Sequence, residues 1–288
     1  PVEVVAVVTQ PDKPVGRHQE RVHSPVKAYA LEQRVPVLQP VRVIDALDEL
    51  KYLAPDLIVT CAYGQWVPKV IRELPSCGSV NVHASLLPKY RGGAPIHWAL
   101  IRGEHTTGVS LMRMVKAMDA GDVLAQASLT IEPNDDVATL HEKLSRLGAQ
   151  LLMTHLEALL QNVLTAQAQD DTQATYAPTI QKDDEVIHFN QSVQAVLNRI
   201  RGLHPWPVGH VLWGGKRVKV FRAQAGPRGK SHTLGQVVGL MDGGIAVQAE
   251  DGCVLLFEVQ LEGRKRLSAT AFYSGLSAEL KASVLHAK

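Results

Sequence analysis

The sequence predicts an α/β domain built on a parallel sheet, followed by a small β-barrel. Three observations predict it. Apolar, β-branched runs at residues 4–9, 56–64 ("DLIVTCAYG") and 78–83 ("GSVNVH") alternate with helical stretches, which implies parallel strands covered on both faces. Around residues 161–179 the composition shifts to Ala, Gln, Thr and Asp, the character of a linker. Beyond it come short strands at short spacing with glycine turns, a barrel signature. The expected division is 1–160 for the α/β domain, 161–180 for the linker and 181–288 for the barrel.

The elements follow in order. Residues 4–9 form an unbroken apolar run that stops at Gln10-Pro11-Asp12, as a buried strand does. "SPVKAYALEQR" (24–34) opens with Ser24 as cap and Pro25 at the first helical position. Two further strands are the 56–64 and 78–83 runs. A helix is expected in "APIHWALIRG" after the third run. "TGVSLMRM" (107–114) alternates as a strand does, with "DVLAQASLTI" its expected neighbour. A long helical period with an aspartate start follows in "DDVATLHEKLSRLGAQLLMTHLEALLQN". In the last third, "VGHVLWGGKRVKVFRA" reads as a hairpin about Gly214-Gly215, and three more strands succeed it.

Composition narrows the function classes. The formal net charge of the 288 residues is +2, too small for wholesale attraction to nucleic acid. The charge is uneven: residues 1–180 carry 16 Lys+Arg against 19 Asp+Glu, and residues 181–288 carry 14 against 9. That asymmetry fits either a division of labour or chance drift. Cys61, Cys77 and Cys253 are odd in number and lack metal or disulfide spacing, so reduced, buried thiols in a cytosolic protein are expected. No apolar run reaches membrane-spanning length and the start lacks signal-peptide character, so no membrane partner is expected.

In an open parallel sheet, ligands bind at the carboxyl ends of strands. Asn81 and His83 end one such run, and a period of two puts both side chains on one face. An amide NH₂ beside an imidazole can donate to an oxygen that develops negative charge, and the imidazole can carry a proton. Taken alone, such a pair more often satisfies local backbone groups. Asp119 and Asp122 flank Gly121 in a loop between two strands, and a carboxylate near the histidine would fix its tautomer and stabilise its cation. An ordinary surface turn has the same composition.

The long stretch "NVHASLLPKYRGGAPIHWALIRGEHTTGVSLMRMVKAMDAGDVLAQ" resembles the 10-formyltetrahydrofolate-dependent formyltransferases. Within them, "VVTQPDKPVGR", "AYGQWVPKVI", "HPWPVGHV" and "EGRKRLSATAFYSG" are similar to the branch that acts on initiator methionyl-tRNA. The resemblance covers essentially the whole chain. It implies a Rossmann-like formyltransferase domain and an OB-like, tRNA-binding barrel. It makes Asn81, His83 and Asp119 catalytic, and places Ser85, Leu86, Leu87 and Pro88 against the folate, in an apolar slot shared with backbone near residues 62–64. It assigns tRNA contacts to Arg17 and to Arg264, Lys265 and Arg266. Lys89 and Arg91 are expected either to face the folate glutamate or tRNA, or simply to be solvated. The donor would be 10-formyltetrahydrofolate, with no metal, in a cytoplasmic monomer.

The sequence departs from this pattern at three places. Family members begin with one more strand–helix unit of roughly 30 residues, carrying a Gly-Thr-Pro loop, and the sheet here is expected to lack it. The family's Gly-Arg-Gly-Lys-Lys loop reads Gly16-Arg17-His18-Gln19-Glu20, which implies a weaker grip on phosphate. His97 stands where glutamine is usual, and a packing role is expected for it. Two alternatives stay open: a sugar-nucleotide amine N-formyltransferase, which shares the opening motif, and a non-catalytic RNA-binding remnant.

Overall fold

The computed structural model describes residues 2–15, 20–229 and 232–285; Arg17 lies outside them. The chain forms two compact units that interleave in sequence. One holds residues 1–83, 109–127 and 148–174, and the other holds 84–108, 128–147 and 175–288.

In the first unit, β1 (Val7–Val8) pairs in parallel with β4 (Val37–Leu38). Only these two residues of the expected 4–9 strand are laddered. Between them lie the hairpin β2 (Lys13–Val15) and β3 (Glu20–Val22), and helix α1 (Pro25–Glu32). Ser24 caps α1 as expected, its hydroxyl accepting from Lys27 N at 3.2 Å. Helix α2 (Leu47–Leu53), strand β5 (Ile58–Thr60), helix α3 (Lys69–Arg72) and strand β6 (Ser79–His83) follow.

Strand β5 runs parallel to β6, with Val59 opposite Val80 and Thr60 opposite Asn81. A buried cluster of Val43, Ala46, Leu50, Val67 and Ile71 gathers Val8, Leu38 and Ile58 onto itself. Thus β1, β4 and β5 share one apolar floor. Among the described residues, no ladder joins β1 to β5, and β1–β4 stays a separate two-stranded sheet.

After helix α4 (Pro95–Ile101) come β7 (Thr106–Arg113), β8 (Val123–Thr130) and the long helix α5 (Val137–Leu160). The sheet order is β5-β6-β7-β8. The α/β class holds, and the sheet is mixed: β7 runs antiparallel to β6, with Asn81 opposite Met112 and His83 opposite Ser110. Alternation in the sequence gives the strand but not its direction. On the face opposite Asn81 and His83, Gly148 of α5 comes so close that a Cβ there would lie 3.0 Å from Val82 Cγ1. Glycine lets this helix seat directly on the strand that ends in the candidate site.

In the second unit, helix α6 (Val193–Leu203) is capped by Ser192, which accepts from Ala195 N. It precedes an antiparallel sheet of β9 (His210–Trp213), β10 (Lys216–Arg228), β11 (Val237–Met241), β12 (Gly244–Gln248) and β13 (Gly252–Leu261). The sheet order is β11-β12-β13-β10-β9, with β14 (Leu267–Ser268) added on β13. The β9–β10 hairpin turns through Gly214 and Gly215, whose φ values of 56° and 73° are the left-handed pair such a turn requires.

Both outer strands are covered by single bridges, Val186 on the β9 side and Val284 on the β11 side, which blunts the open edges. The inner face buries Val211, Val218, Val220, Ile245, Val247, Val254 and Leu256, with Phe272 of helix α7 (Ala269–Ser274) against them. A short α8 (Ala278–Lys281) follows. No helix of the described residues is long and apolar enough to cross a membrane. Of the thiols expected to be buried, the structure buries Cys253 but leaves Cys61 exposed.

Candidate active site

Asn81 and His83 stand on one face of β6, as the period of two dictates. His83 is buried at 6% exposure, and its Nδ1 lies 3.7 Å from Asp119 Oδ2. Asp119 thus returns to the histidine from the loop after β7. Its backbone is left-handed, φ 51°, a conformation that aspartate tolerates better than most residues. Gly121 passes so close to β7 that a Cβ would fall 1.8 Å from Arg113 O, so only glycine fits. The side-chain amide of Gln169 donates to Asp119 O at 2.8 Å and to Gly121 O at 2.7 Å. Asp122 is exposed, and its backbone carbonyl accepts from Arg113 N.

The Asn81 carboxamide is held from one side. Thr60 on the neighbouring strand β5 donates to Asn81 Oδ1 at 2.9 Å, and its hydroxyl also lies 3.1 Å from Val80 O and 3.3 Å from Met114 Sδ. Among the described residues, the Asn81 amide nitrogen has no hydrogen-bond partner. The arrangement therefore offers an oriented N–H donor, an imidazole and a carboxylate within one unit. That set can stabilise an oxyanion and move a proton. No group of three His, Cys, Asp or Glu side chains among the described residues is placed to hold a metal ion.

Of the expected folate segment, Ser85 and Leu87 are buried at 1% and 5% exposure, while Leu86 and Pro88 are half-buried. Ser85 donates its hydroxyl to Lys89 O at 2.6 Å, and Pro88 O accepts from Thr175 N. The Leu87–Pro88 peptide is cis. Near residues 62–64, Ala62 and Gly64 are left-handed, and Gln10 Nε2 donates to Tyr63 O.

The family described as formyl transferase matches residues 1–156, and the family described as its C-terminal domain matches residues 179–277. This chain belongs to the formyl transferase family. It is 45% identical over 286 residues to "Methionyl-tRNA formyltransferase" of Staphylococcus epidermidis, covering 98% of this chain and 92% of that protein. The protein of the same name from Geobacter sulfurreducens is 44% identical over 280 residues, covering 96% and 87%. Among solved structures, "Methionyl-tRNA formyltransferase from Clostridium thermocellum" superposes with a TM-score of 0.56 over 90% of this chain and 99% of that one. Its identity is 16%, a likeness of fold alone.

In this formyl transferase, the basic turn after β13 is divided. Arg264 and Lys265 are exposed. Arg266 is exposed too, but it is also ion-paired with Glu258 and stacked 4.1 Å over the Phe221 ring. Arg91, expected on a ligand-facing or solvated loop, is buried at 4% exposure, its backbone held by Thr175 and bridged to Tyr176; Lys89 beside it is exposed. His97 packs as expected. Its Nδ1 lies 2.8 Å from Gly202 O, its ring meets Trp206 edge-on, and burial pushes the imidazole below its ordinary pKa despite that carbonyl.

Sequence reasoning missed Thr60 and Gln169. The first sits inside an apolar run and the second inside a linker-like stretch. Neither carries a local signal; each is defined by its partner across space.

Proposed function

We propose that this chain transfers the formyl group of 10-formyltetrahydrofolate to the α-amine of initiator methionyl-tRNA. The single observation that carries the site reading is the pairing of Asn81 and His83 on one face of β6 with Asp119 3.7 Å from the histidine, the Asn81 amide nitrogen being unpartnered among the described residues. The similarity to methionyl-tRNA formyltransferases over nearly the whole chain supports the choice of acceptor.

The donor supplies an activated formyl group whose carbonyl oxygen gains negative charge when an amine attacks. Asn81 Nδ2 and a ring N–H of His83 donate to that oxygen. Asp119 holds the imidazole in position and accepts the proton that the amine must lose; the tetrahedral adduct then collapses, the bond from the formyl carbon to the folate nitrogen breaks, and that nitrogen takes up the proton and leaves as tetrahydrofolate. The amine is itself a competent nucleophile, so the chain needs no covalent intermediate. Leu86, Pro88 and adjacent backbone offer the pterin an apolar wall, while Ser85 and Leu87 fix the turn from inside. Residues 1–160 serve as the catalytic domain and 181–288 as the tRNA-binding domain of a monomer.

The test is single-turnover formylation with Asn81→Ala and His83→Ala, using methionyl-tRNA and, separately, a nucleotide-linked aminosugar. Loss of one oxyanion donor costs roughly 10²–10³ in turnover, and methionyl-tRNA should be the acceptor used. Parental rates in both variants would overturn the site assignment. Faster formylation of the aminosugar would move the chain to the sugar branch. Formylation of neither acceptor by the parent chain would leave an RNA-binding remnant.

A further inference from the structure

Thr60 is a hydroxyl residue in an otherwise apolar strand, at the position directly opposite Asn81 in the parallel β5–β6 ladder. Paired residues in a ladder project from the same face, so the Thr60 hydroxyl is delivered to the Asn81 carboxamide by strand register alone. The separation is 2.9 Å from Thr60 Oγ1 to Asn81 Oδ1. Its setting is restrained from three sides, because Val80 O and Met114 Sδ lie 3.1 and 3.3 Å from the same hydroxyl. A β-branched side chain on a strand has little χ1 freedom, which adds to the restraint.

A carboxamide has two faces of opposite polarity. Rotated by half a turn, Asn81 would present its oxygen, not its NH₂, to a developing oxyanion, and the interaction would become repulsive. The Asn81 side chain carries no other hydrogen bond among the described residues that would choose between the two.

We propose that Thr60 is a positioning residue for formyl transfer: its hydroxyl anchors Asn81 Oδ1 and so keeps Asn81 Nδ2 aimed at the reacting carbonyl. This rests on the assignment of Asn81 under the proposed function. Thr60 touches no substrate, and its effect passes wholly through Asn81. Because the donor is needed only as charge develops, losing its orientation lowers turnover and leaves substrate binding alone.

The experiment compares Thr60→Val, which keeps shape and removes the hydroxyl, with Thr60→Ser, which keeps the hydroxyl, and with Asn81→Ala and the Thr60→Val/Asn81→Ala double variant. Rates are measured with 10-formyltetrahydrofolate and methionyl-tRNA, alongside thermal unfolding. Misplacing a catalytic group costs up to about 10²-fold in rate. Thr60→Val is therefore expected to lose roughly 10- to 10²-fold in kcat with both KM values kept, and Thr60→Ser to restore most of it. The double variant should be no slower than Asn81→Ala alone, because the threonine acts only through the asparagine. Should Thr60→Val not fold, Thr60→Ala takes its place in the same comparisons.

Parental kcat in the variant lacking the hydroxyl, an equal loss in Thr60→Ser, or full additivity in the double variant would each overturn the proposal. If Asn81→Ala retained parental kcat, the site reading itself would fail, and Thr60 with it. If Asn81→Ala were slow but Thr60→Val fast, only the role of Thr60 would fall.

Discussion

His83 and Asp119 face each other at 3.7 Å, Nδ1 to Oδ2, although they stand 36 positions apart in the chain. The strand β7 and the loop beyond it carry the chain away from β6 and bring the carboxylate back. Both side chains are largely shielded from solvent.

Asp119→Asn should depress kcat, since a neutral amide cannot accept the proton that the amine must lose. Asp122→Asn should do far less. Its side chain is exposed, and the part that serves the fold is its backbone carbonyl, which accepts from Arg113 N. Comparing kcat of the two variants checks this, and an equal or larger loss at Asp122 would reverse the assignment.

Gln169→Leu removes two hydrogen bonds to the loop that carries Asp119. At about 0.5–1.5 kcal/mol each, the local cost is about 1–3 kcal/mol. The loop backbone should exchange its amide hydrogens faster, and turnover should fall roughly tenfold, by loosening the carboxylate. Unchanged exchange over residues 114–122 would show that Gln169 is not the clamp.

At the basic turn, Arg264→Ala/Lys265→Ala should weaken tRNA binding and flatten its salt dependence. The slope of log K should fall by roughly 0.7–0.9 for each phosphate that the protein no longer neutralises. Arg266→Ala should mainly lower stability, because its guanidinium is committed to Glu258 and Phe221. Titrations of tRNA at several salt concentrations, with thermal unfolding of each variant, separate the two effects. A slope that does not change in the double variant would remove this turn from the RNA footprint.

Asp12 sets an acid limit on the first unit. Hydrogen bonds from Lys27 first, then Gln39 and His23, hold its carboxyl down at about 2. A depressed carboxylate stabilises the fold above its unfolded value of about 3.9, and that contribution disappears as pH falls through the folded value. The stability difference between the parent and Asp12→Asn should hence be constant from neutral pH to about 4–5 and shrink towards pH 2. Denaturant unfolding at stepped pH measures it; a difference that persists undiminished at pH 2 would contradict it.

The sequence by itself determined the features whose causes lie within a few residues. Ser24 and Ser192 announce their helices because a cap and its amide are three positions apart. Gly214 and Gly215 announce a hairpin because the turn needs two left-handed residues in succession. Asn81 and His83 share a face because strand side chains alternate.

Tertiary structure alone decided the rest. It ran β7 antiparallel to β6, set Thr60 opposite Asn81, and laid Gln169 across the loop of Asp119. It also turned Arg266 back onto Glu258 and left β1–β4 as a sheet apart. Each of these depends on which strand lies beside which and in what register. Register is fixed by burying whole apolar faces at once, a sum over the core that no short stretch of sequence contains.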